Sequence, residues 1–344
     1  MERLNSSTVI RVLLLALPIA FLLYISVGPS FISPLSLFSG AAEGSAARDQ
    51  IILASIRLPR AIMAMLVGAC LACSGAVMQG LFRNPLADPS LIGVSSGASA
   101  GASFMIVFGA SLLSGGQILG LSIVGIGAVT GAVLAVFLVY RLATNRYGTS
   151  VVTMLLSGVA ISAVASALNN LFTYFADSVM LRRISVWEMG NLEGASWERV
   201  ILMAGVSLLL LWRIPRYREA LNAFLLGESE ARYLGINVQR VKKELILLTA
   251  LAVGMSVVVV GNISFVGLVV PHILRGFIGP NHRSLLPSSA LAGAILLLCA
   301  DMGARTLIAP AELPAGILTA LVGAPVFFFL LVRSRALNNP ERLS

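Results

Sequence analysis

The chain has 344 residues, of which 58% are hydrophobic and only 11% are charged. Soluble domains carry about 25% charged residues, so this composition excludes a soluble globular fold. The apolar runs of roughly 17 or more residues predict an all-α polytopic membrane protein instead. The net charge of +9 does not indicate a nucleic-acid partner, because most basic residues fall in loops on one side and form no amphipathic basic face with aromatics.

One long polar segment, Arg213 to Lys243, interrupts the apolar second half of the chain and holds 7 of its 24 basic residues. Arginine and lysine concentrate in short cytoplasmic loops, so we place this segment in the cytoplasm. Apolar residues at helical spacing, punctuated by Gly227 and Gly235, predict two short amphipathic helices. Such helices form a surface for a partner; a solvated connection is the alternative.

Counting apolar runs outward from this segment predicts ten membrane spans. In chain order they are Val9 to Val27, Pro59 to Phe82, Leu91 to Phe108, Gln117 to Leu142, Thr149 to Phe175, Val200 to Trp212, Leu245 to Val260, Phe265 to Ile278, Ala290 to Leu307 and Pro314 to Val332. A cleaved signal peptide is the alternative for the first span. With both termini in the cytoplasm, 17 of the 24 basic residues lie inside and 7 outside, which supports that orientation.

The connections follow from the same count. Residues 28–56 and 177–198 are predicted to be external, and residues 279–287 form a cytoplasmic turn. The prolines at 85 and 89 break the helix after the second span. The second span is dense in small residues, among them Gly68 and Gly75, which let helices approach closely in lipid. Gly93, Gly97 and Gly101 recur every four residues on one face of the third span.

The sequence contains no pattern that predicts catalysis. It has no nucleotide-binding G-x-x-x-x-G-K-[ST] motif and no H-E-x-x-H motif. Cys70 and Cys73 lie inside an apolar span and are interpreted as small buried residues, and His272 as a structural residue. Asp301 is a lone intramembrane acid, four residues before Arg305, and is interpreted as a local ion pair. We therefore predict no enzyme activity, cofactor or metal site, and a conduit that takes its energy from a partner.

Several stretches together resemble one family, and the resemblance covers residues from about 50 to 333. The stretches are RLPR at 57–60, GAVMQ at 75–79, NPLADP at 84–89, GVSSGA at 93–98, LGE at 226–228 with LG at 234–235, FVGLVVPHILR at 265–275, the stretch ending in ELPAG at 310–316, and LVGAP at 321–325. The chain is similar in these stretches to the FecCD-type permeases of binding-protein-dependent ABC importers for iron-siderophores, heme and cobalamin.

This resemblance implies a type II ABC importer permease fold, with residues 1–344 forming a single transmembrane domain. It implies a second copy of the chain around a central path, two cytoplasmic ATP-binding subunits, a periplasmic substrate-binding protein, and a place in the bacterial inner membrane.

The resemblance also implies roles for particular residues. The resemblance assigns contact with the ATP-binding subunits, and coupling to them, to Leu221, Leu226, Gly227, Glu228, Ala231, Leu234 and Gly235. It assigns docking of an acidic binding protein to three arginines that are expected at the external ends of membrane spans, Arg57, Arg60 and Arg305. The cytoplasmic gate falls on Asn84, Pro85, Leu86, Thr149 and Ser150. To these we add Ser162 and Ser166 from the residues themselves, because small polar side chains form a stripe along the fifth span and suit a path wall.

The cargo is left open between related compounds. The stretch from residue 84 to 98 looks most like the heme-importing branch, and Arg182 and Arg183 in the external segment are possible contacts for heme propionates. Cobalamin and an iron-siderophore are the alternatives. Two other classes of protein compete: an autonomous secondary carrier, against which the coupling segment counts, and a membrane-embedded enzyme, against which the missing catalytic residues count.

Overall fold

The computed structural model describes residues 4–38, 44–109, 122–146 and 148–337, and helices form almost all of that part of the chain. The helices are α1 Ser6–Ser26, α2 Ser45–Ile52, α3 Leu58–Leu81, α4 Val94–Phe108, α5 Ile123–Ala143, α6 Val151–Phe175, α7 Ser178–Glu188, α8 Trp197–Arg213, α9 Arg218–Leu226, α10 Glu228–Tyr233, α11 Val238–Val260, α12 Val266–Ile278, α13 His282–Thr306 and α14 Ala315–Leu337. One two-residue ladder pairs β1 Thr144–Asn145 with β2 Gly148–Thr149 in antiparallel register. The predicted all-α polytopic class is confirmed.

Among the described residues, seven helical stretches are long and apolar enough to cross a membrane, and three shorter apolar helices accompany them. These ten elements correspond one to one with the ten predicted spans. The start of the fourth predicted span, residues 117–121, lies outside the described residues. The apolar runs therefore located each span, because in lipid every backbone polar group has to be satisfied within a helix.

Two predicted connections, the external loop 28–56 and the cytoplasmic turn 279–287, are wrong in part, because helices begin within them at polar residues. The external loop 28–56 contains α2 and a π-helical turn at Leu53–Arg57 that run without a break into α3. This π-helical turn lies just before Pro59, which has no backbone N–H and therefore cannot donate a helix hydrogen bond. The external segment 177–198 contains α7, whose first turn is capped by the Asp177 side chain.

The cytoplasmic connections are likewise shorter than predicted. The helix α13 begins at His282 rather than within the expected turn, with the Asn281 side chain accepting a hydrogen bond from the backbone N–H of Arg283. In the same way α11 begins at Val238, where the Asn237 side chain accepts from the N–H of Arg240. Asparagine caps start helices in polar sequence, which a search for apolar runs does not detect.

Glycines hold the centre of the bundle together by close approach. A methyl group added at Gly68 of α3 would lie 2.2 Å from the carbonyl oxygen of Gly293 in α13, and one at Gly101 of α4 would lie 2.0 Å from the carbonyl oxygen of Gly127 in α5. No carbon side chain fits at either distance. The predicted close packing of the second span is confirmed at Gly68, and the helical stretch that contains it is the most deeply buried of the seven long membrane helices.

Candidate functional site

The predicted coupling residues divide into buried anchors and exposed contacts. Leu221 and Ala231, one on each short helix, are fully buried and fix α9 and α10 against the bundle. Leu226 and Leu234 are 69% and 65% exposed, and Tyr233, the last residue of α10, is 91% exposed. Three large apolar side chains exposed at the tip of a polar segment indicate a surface that a partner covers.

Two glycines shape this segment. Gly227 separates α9 from α10 with φ of 141°, and Gly235 ends the turn after α10 with φ of 80°. Both values lie in the region that side chains strain to adopt, so glycine permits the two abrupt changes of direction. Glu228 follows as the first residue of α10.

Lys242 joins the coupling segment to the predicted gate. Its side chain is buried, its ammonium lies 2.5 Å from a carboxylate oxygen of Glu228, and it donates a 3.2 Å hydrogen bond to the backbone carbonyl of Thr149. A buried ammonium needs such partners. The sequence analysis missed this residue, although a lysine is conspicuous in a chain that has only two, Lys242 and Lys243.

Thr149 makes hydrogen bonds through its side chain and through both of its backbone polar groups. Its backbone N–H donates to the Gln239 side chain at 2.9 Å, and its hydroxyl lies 3.0 Å from that of Thr144 across the short ladder. Ser150 caps α6 by accepting from the N–H of Thr153. The start of α6 is therefore tied to α11, which carries both Gln239 and Lys242.

A cavity of about 360 Å³ brings the gate and coupling residues together, since Arg83, Thr149, Ser150, Glu228 and Lys242 all line it. The other predicted gate residues lie beside this cavity rather than on its wall. Asn84 closes a turn by accepting from the N–H of Leu86. The carbonyl of Pro85 lies 3.2 Å from a ring nitrogen of His272, which gives that histidine a structural contact.

The predicted path residues lie on the wall of a larger cavity of about 710 Å³. Gly158, Ser162, Ser166 and Asn169 present one face of α6 to it, and serines of α4 and the 262–268 segment form the opposite walls. Ser157 is buried instead and does not line the cavity. The structure thus places both serines where a path wall is expected, and their role in transport stays a prediction.

Glu188, which the sequence analysis missed, supplies a carboxylate to this cavity. One of its oxygens accepts 2.7 Å hydrogen bonds from the hydroxyl of Ser99 and from the side-chain amide of Asn169. These contacts link α4, α6 and the end of α7. No pattern in the sequence marked this residue, because its partners are 89 and 19 residues away along the chain.

Arg182 and Arg183 line a different cavity, also about 710 Å³, together with Arg199 and Glu193. Both side chains are exposed, as the sequence analysis expected. The two cavities are on either side of α7, with its arginines at one and its terminal glutamate at the other.

The expected exposure of the three docking arginines is wrong. Arg57, Arg60 and Arg305 are 3–4% exposed, and each has partners within the chain. Arg57 donates to the carbonyl oxygens of Ile25 and Ser26 at the end of α1, which have no helical partner of their own. The docking role stays a prediction, but it would require these guanidinium groups to leave their internal partners.

Asp301 is the centre of this buried cluster. Arg60 binds both of its oxygens at 2.8 and 2.9 Å, the Tyr24 hydroxyl donates to it at 2.5 Å, and the expected pair with Arg305 is longer, at 3.5 Å. The interpretation as a local ion pair was therefore incomplete, because the main partner is 241 residues away. The contact with Tyr24 joins α1 to the bundle.

Within the described residues, no three His, Cys, Asp or Glu side chains meet as a metal site requires. Cys70 and Cys73 are buried, as predicted, and Cys70 lies 3.2 Å from the hydroxyl of Ser207. Cys299 is exposed.

Known proteins resemble the whole chain. The model of the FecCD transport family matches residues 14–333. The hemin transport system permease HmuU of Yersinia pestis is 42% identical over 327 residues, covering 94% of this chain and 96% of its own length. The vitamin B12 import system permease BtuC of Citrobacter koseri is 43% identical over 317 residues, covering 92% of each chain.

One solved structure is also similar to nearly the whole chain. A metal-chelate type ABC transporter in an inward-facing conformation superimposes with a TM-score of 0.83 at 32% identity, over 95% of this chain and 99% of that one. Permeases of this kind are transport components that work with separate ATP-binding subunits and a binding protein. The ten apolar helices suit a transport component of a membrane, and the chain belongs to the FecCD transport family.

Proposed function

We propose that two copies of this chain form the path of an ATP-driven importer in a bacterial inner membrane, each with both termini in the cytoplasm. One transmembrane domain spans residues 1–344. The cargo is a metal chelate or tetrapyrrole that a binding protein delivers from outside. Such a cargo is too large for a single bundle whose helices meet at glycine, so a two-fold pair supplies the wider gap.

The contact of Lys242 with both Glu228 and Thr149 carries this proposal. Leu226, Tyr233 and Leu234 face outward for an ATP-binding subunit, and Glu228 begins the same short helix. A displacement of α10 is passed through the buried ammonium to the backbone at the start of α6. An autonomous carrier has no use for an exposed helix pair connected in this way.

Reconstitution tests the proposal. The chain with its ATP-binding subunits and binding protein is placed in liposomes, and we expect uptake that requires hydrolysable ATP. The chain alone is the control. Uptake by the isolated chain, driven by an ion gradient, would assign it to the secondary carriers and refute the proposal.

The predicted coupling residues have their own test. Gly235→Pro distorts the turn after α10, and Glu228→Arg places a second cation against Lys242. Both variants should lose uptake and stimulated ATP hydrolysis while remaining in the membrane. Survival of both activities would leave the segment as a solvated connection.

Heme and cobalamin are both candidates for the cargo, and sequence identity does not separate them, since the hemin and vitamin B12 permeases are 42% and 43% identical to this chain. Heme was the preferred prediction from the sequence. The charge of the cavity along α6 provides an independent criterion.

A further inference from the structure

The cavity along α6 has an acidic wall. Its described lining includes the carboxylates of Asp88 and Glu188 and no lysine or arginine. The remaining polar groups are hydroxyls and amides, which are Ser90, Ser95, Ser96, Ser99, Ser162, Ser166, Asn169, Asn262 and Ser264. Hydroxyls and amides bind donors and acceptors alike, so the two carboxylates give the cavity its charge preference.

Both carboxylates have a second oxygen to which no described side chain donates, but they differ in what holds them in place. Asp88 caps the helical turn at Pro89–Ile92, where it accepts a 2.8 Å hydrogen bond from the N–H of Ser90. Glu188 is held instead by side chains of two other helices, Ser99 and Asn169, which donate to one of its oxygens, and no described side chain donates to the other. A carboxylate held in position with a free oxygen at a cavity wall is suited to receive an N–H or a cationic group from a ligand.

Groups that would attract an anion lie elsewhere. Arg182, Arg183 and Arg199 line the cavity on the other side of α7 and are absent from the lining of this one. The partner copy, related by a two-fold axis, adds the same residue types and therefore another pair of carboxylates. An anionic cargo would meet like charge without a compensating cation.

We infer that the cargo of this permease is uncharged or cationic and carries amide or ammonium donors, as corrinoids and ferric hydroxamates do, and that Glu188 is a specificity-determining residue. This inference rests on the proposed function and narrows it. It disfavours hemin, whose propionates are ionised at neutral pH.

Binding measurements on the complete permease and ATP-binding subunit complex, in nanodiscs without the binding protein, test the inference. The probes are hemin, cyanocobalamin and the cationic hydroxamate ferrioxamine B, with empty nanodiscs to subtract hemin dissolved in lipid. We expect cyanocobalamin or ferrioxamine B to bind about tenfold more tightly than hemin.

The variant Glu188→Gln keeps an oxygen that accepts from Ser99 and Asn169 but removes the charge. Glu188→Gln should reduce the preference for cyanocobalamin or ferrioxamine B over hemin about fivefold or more. Glu188→Lys should make hemin the more tightly bound probe. Glu198→Gln is the matched control, because it removes an exposed carboxylate that lines neither cavity and should leave the preference unchanged. Basal ATP hydrolysis close to the wild-type rate shows that each variant is assembled.

Hemin binding as tight as the other probes, no binding of any probe, or a preference that Glu188→Gln does not alter would each overturn the inference. The proposed function is judged separately, by ATP-dependent uptake in liposomes with the binding protein. Uptake of hemin in that assay would support the proposed importer function but contradict the inference about its cargo.

Discussion

Replacing Lys242 should separate ATP hydrolysis from transport. Lys242→Met keeps the length and the apolar stem of the side chain but removes the ammonium that contacts Glu228 and Thr149. Without it, a movement of α10 has no polar contact through which to reach the start of α6. Hydrolysis depends on the surface formed by α9 and α10, which the substitution leaves in place.

The size of the effect follows from the two contacts. A hydrogen bond from a charged donor contributes about 1.5–3 kcal/mol, and this estimate applies to the Thr149 carbonyl because Lys242 is 2% exposed. The Glu228 side chain is 37% exposed, so its ion pair is screened and contributes about 1 kcal/mol or less. A loss of about 2–4 kcal/mol lies within the range of typical coupling free energies or slightly above it.

The assay compares uptake with ATP hydrolysis in the same liposomes. We expect the number of molecules imported per ATP hydrolysed to fall at least about tenfold in Lys242→Met, with hydrolysis retained. Lys242→Arg keeps the charge and should be milder. Lys243→Met is the matched control, because the neighbouring lysine is exposed. An unchanged ratio in Lys242→Met, or an equal loss in Lys243→Met, would refute the reasoning.

Three further predictions concern the rest of the bundle. Gly68→Val should prevent α3 and α13 from packing, because its Cβ would lie 2.2 Å from the Gly293 carbonyl oxygen; thermal unfolding should show a large loss of stability, whereas Gly205→Val, with open space around it, should not. Asp301→Ala leaves the buried guanidinium of Arg305 without a carboxylate and that of Arg60 with Glu312 alone, and should cost about 3–5 kcal/mol. Glu312→Gln, at the 31% exposed end of the cluster, should cost about 1 kcal/mol, and equal effects would contradict this. Ser162→Trp should fill the cavity and block uptake while the complex still assembles and hydrolyses ATP; normal uptake would leave α6 as scaffold.

The sequence located the membrane spans because each is an apolar run bounded by polar residues. It misplaced the starts of α11 and α13, since those helices begin in polar sequence at asparagine caps. Hydropathy reports how well a segment suits lipid, whereas a helix continues wherever its backbone hydrogen bonds are satisfied. The same reason explains why the sequence predicts a loop at residues 45–57, where the structure has helix.

The site was predicted less completely, because charged side chains find partners that lie far away in the chain. Arg60 at the outer end of a span looks exposed in the sequence, yet Asp301 neutralises it across 241 residues. Glu188 gains its position from Ser99 and Asn169 in two other helices. Ser162 and Ser166 do lie on one face of α6 at a cavity wall, since their spacing along one helix is a local property that the sequence displays directly, while their role in transport stays a prediction.

The helix α6 connects the two inferences drawn from this structure. Its start is held by Lys242 through Thr149, and near its other end Asn169 donates to Glu188. The helix has 25 residues and is therefore about 38 Å long. Between these contacts it presents Ser162 and Ser166 to the cavity.

A packed helix moves largely as a rigid element, so a displacement imposed at Thr149 reaches Asn169. By contrast, α1, α3 and α13 are joined by the Asp301 cluster and by the contact of Gly68 with Gly293, and both contacts are buried. Movement of α6 against that fixed unit would change the width of the cavity and the position of the Glu188 carboxylate together. Energy input and cargo recognition would then act through the same helix, which is why a substitution at either end should alter transport without altering ATP hydrolysis itself.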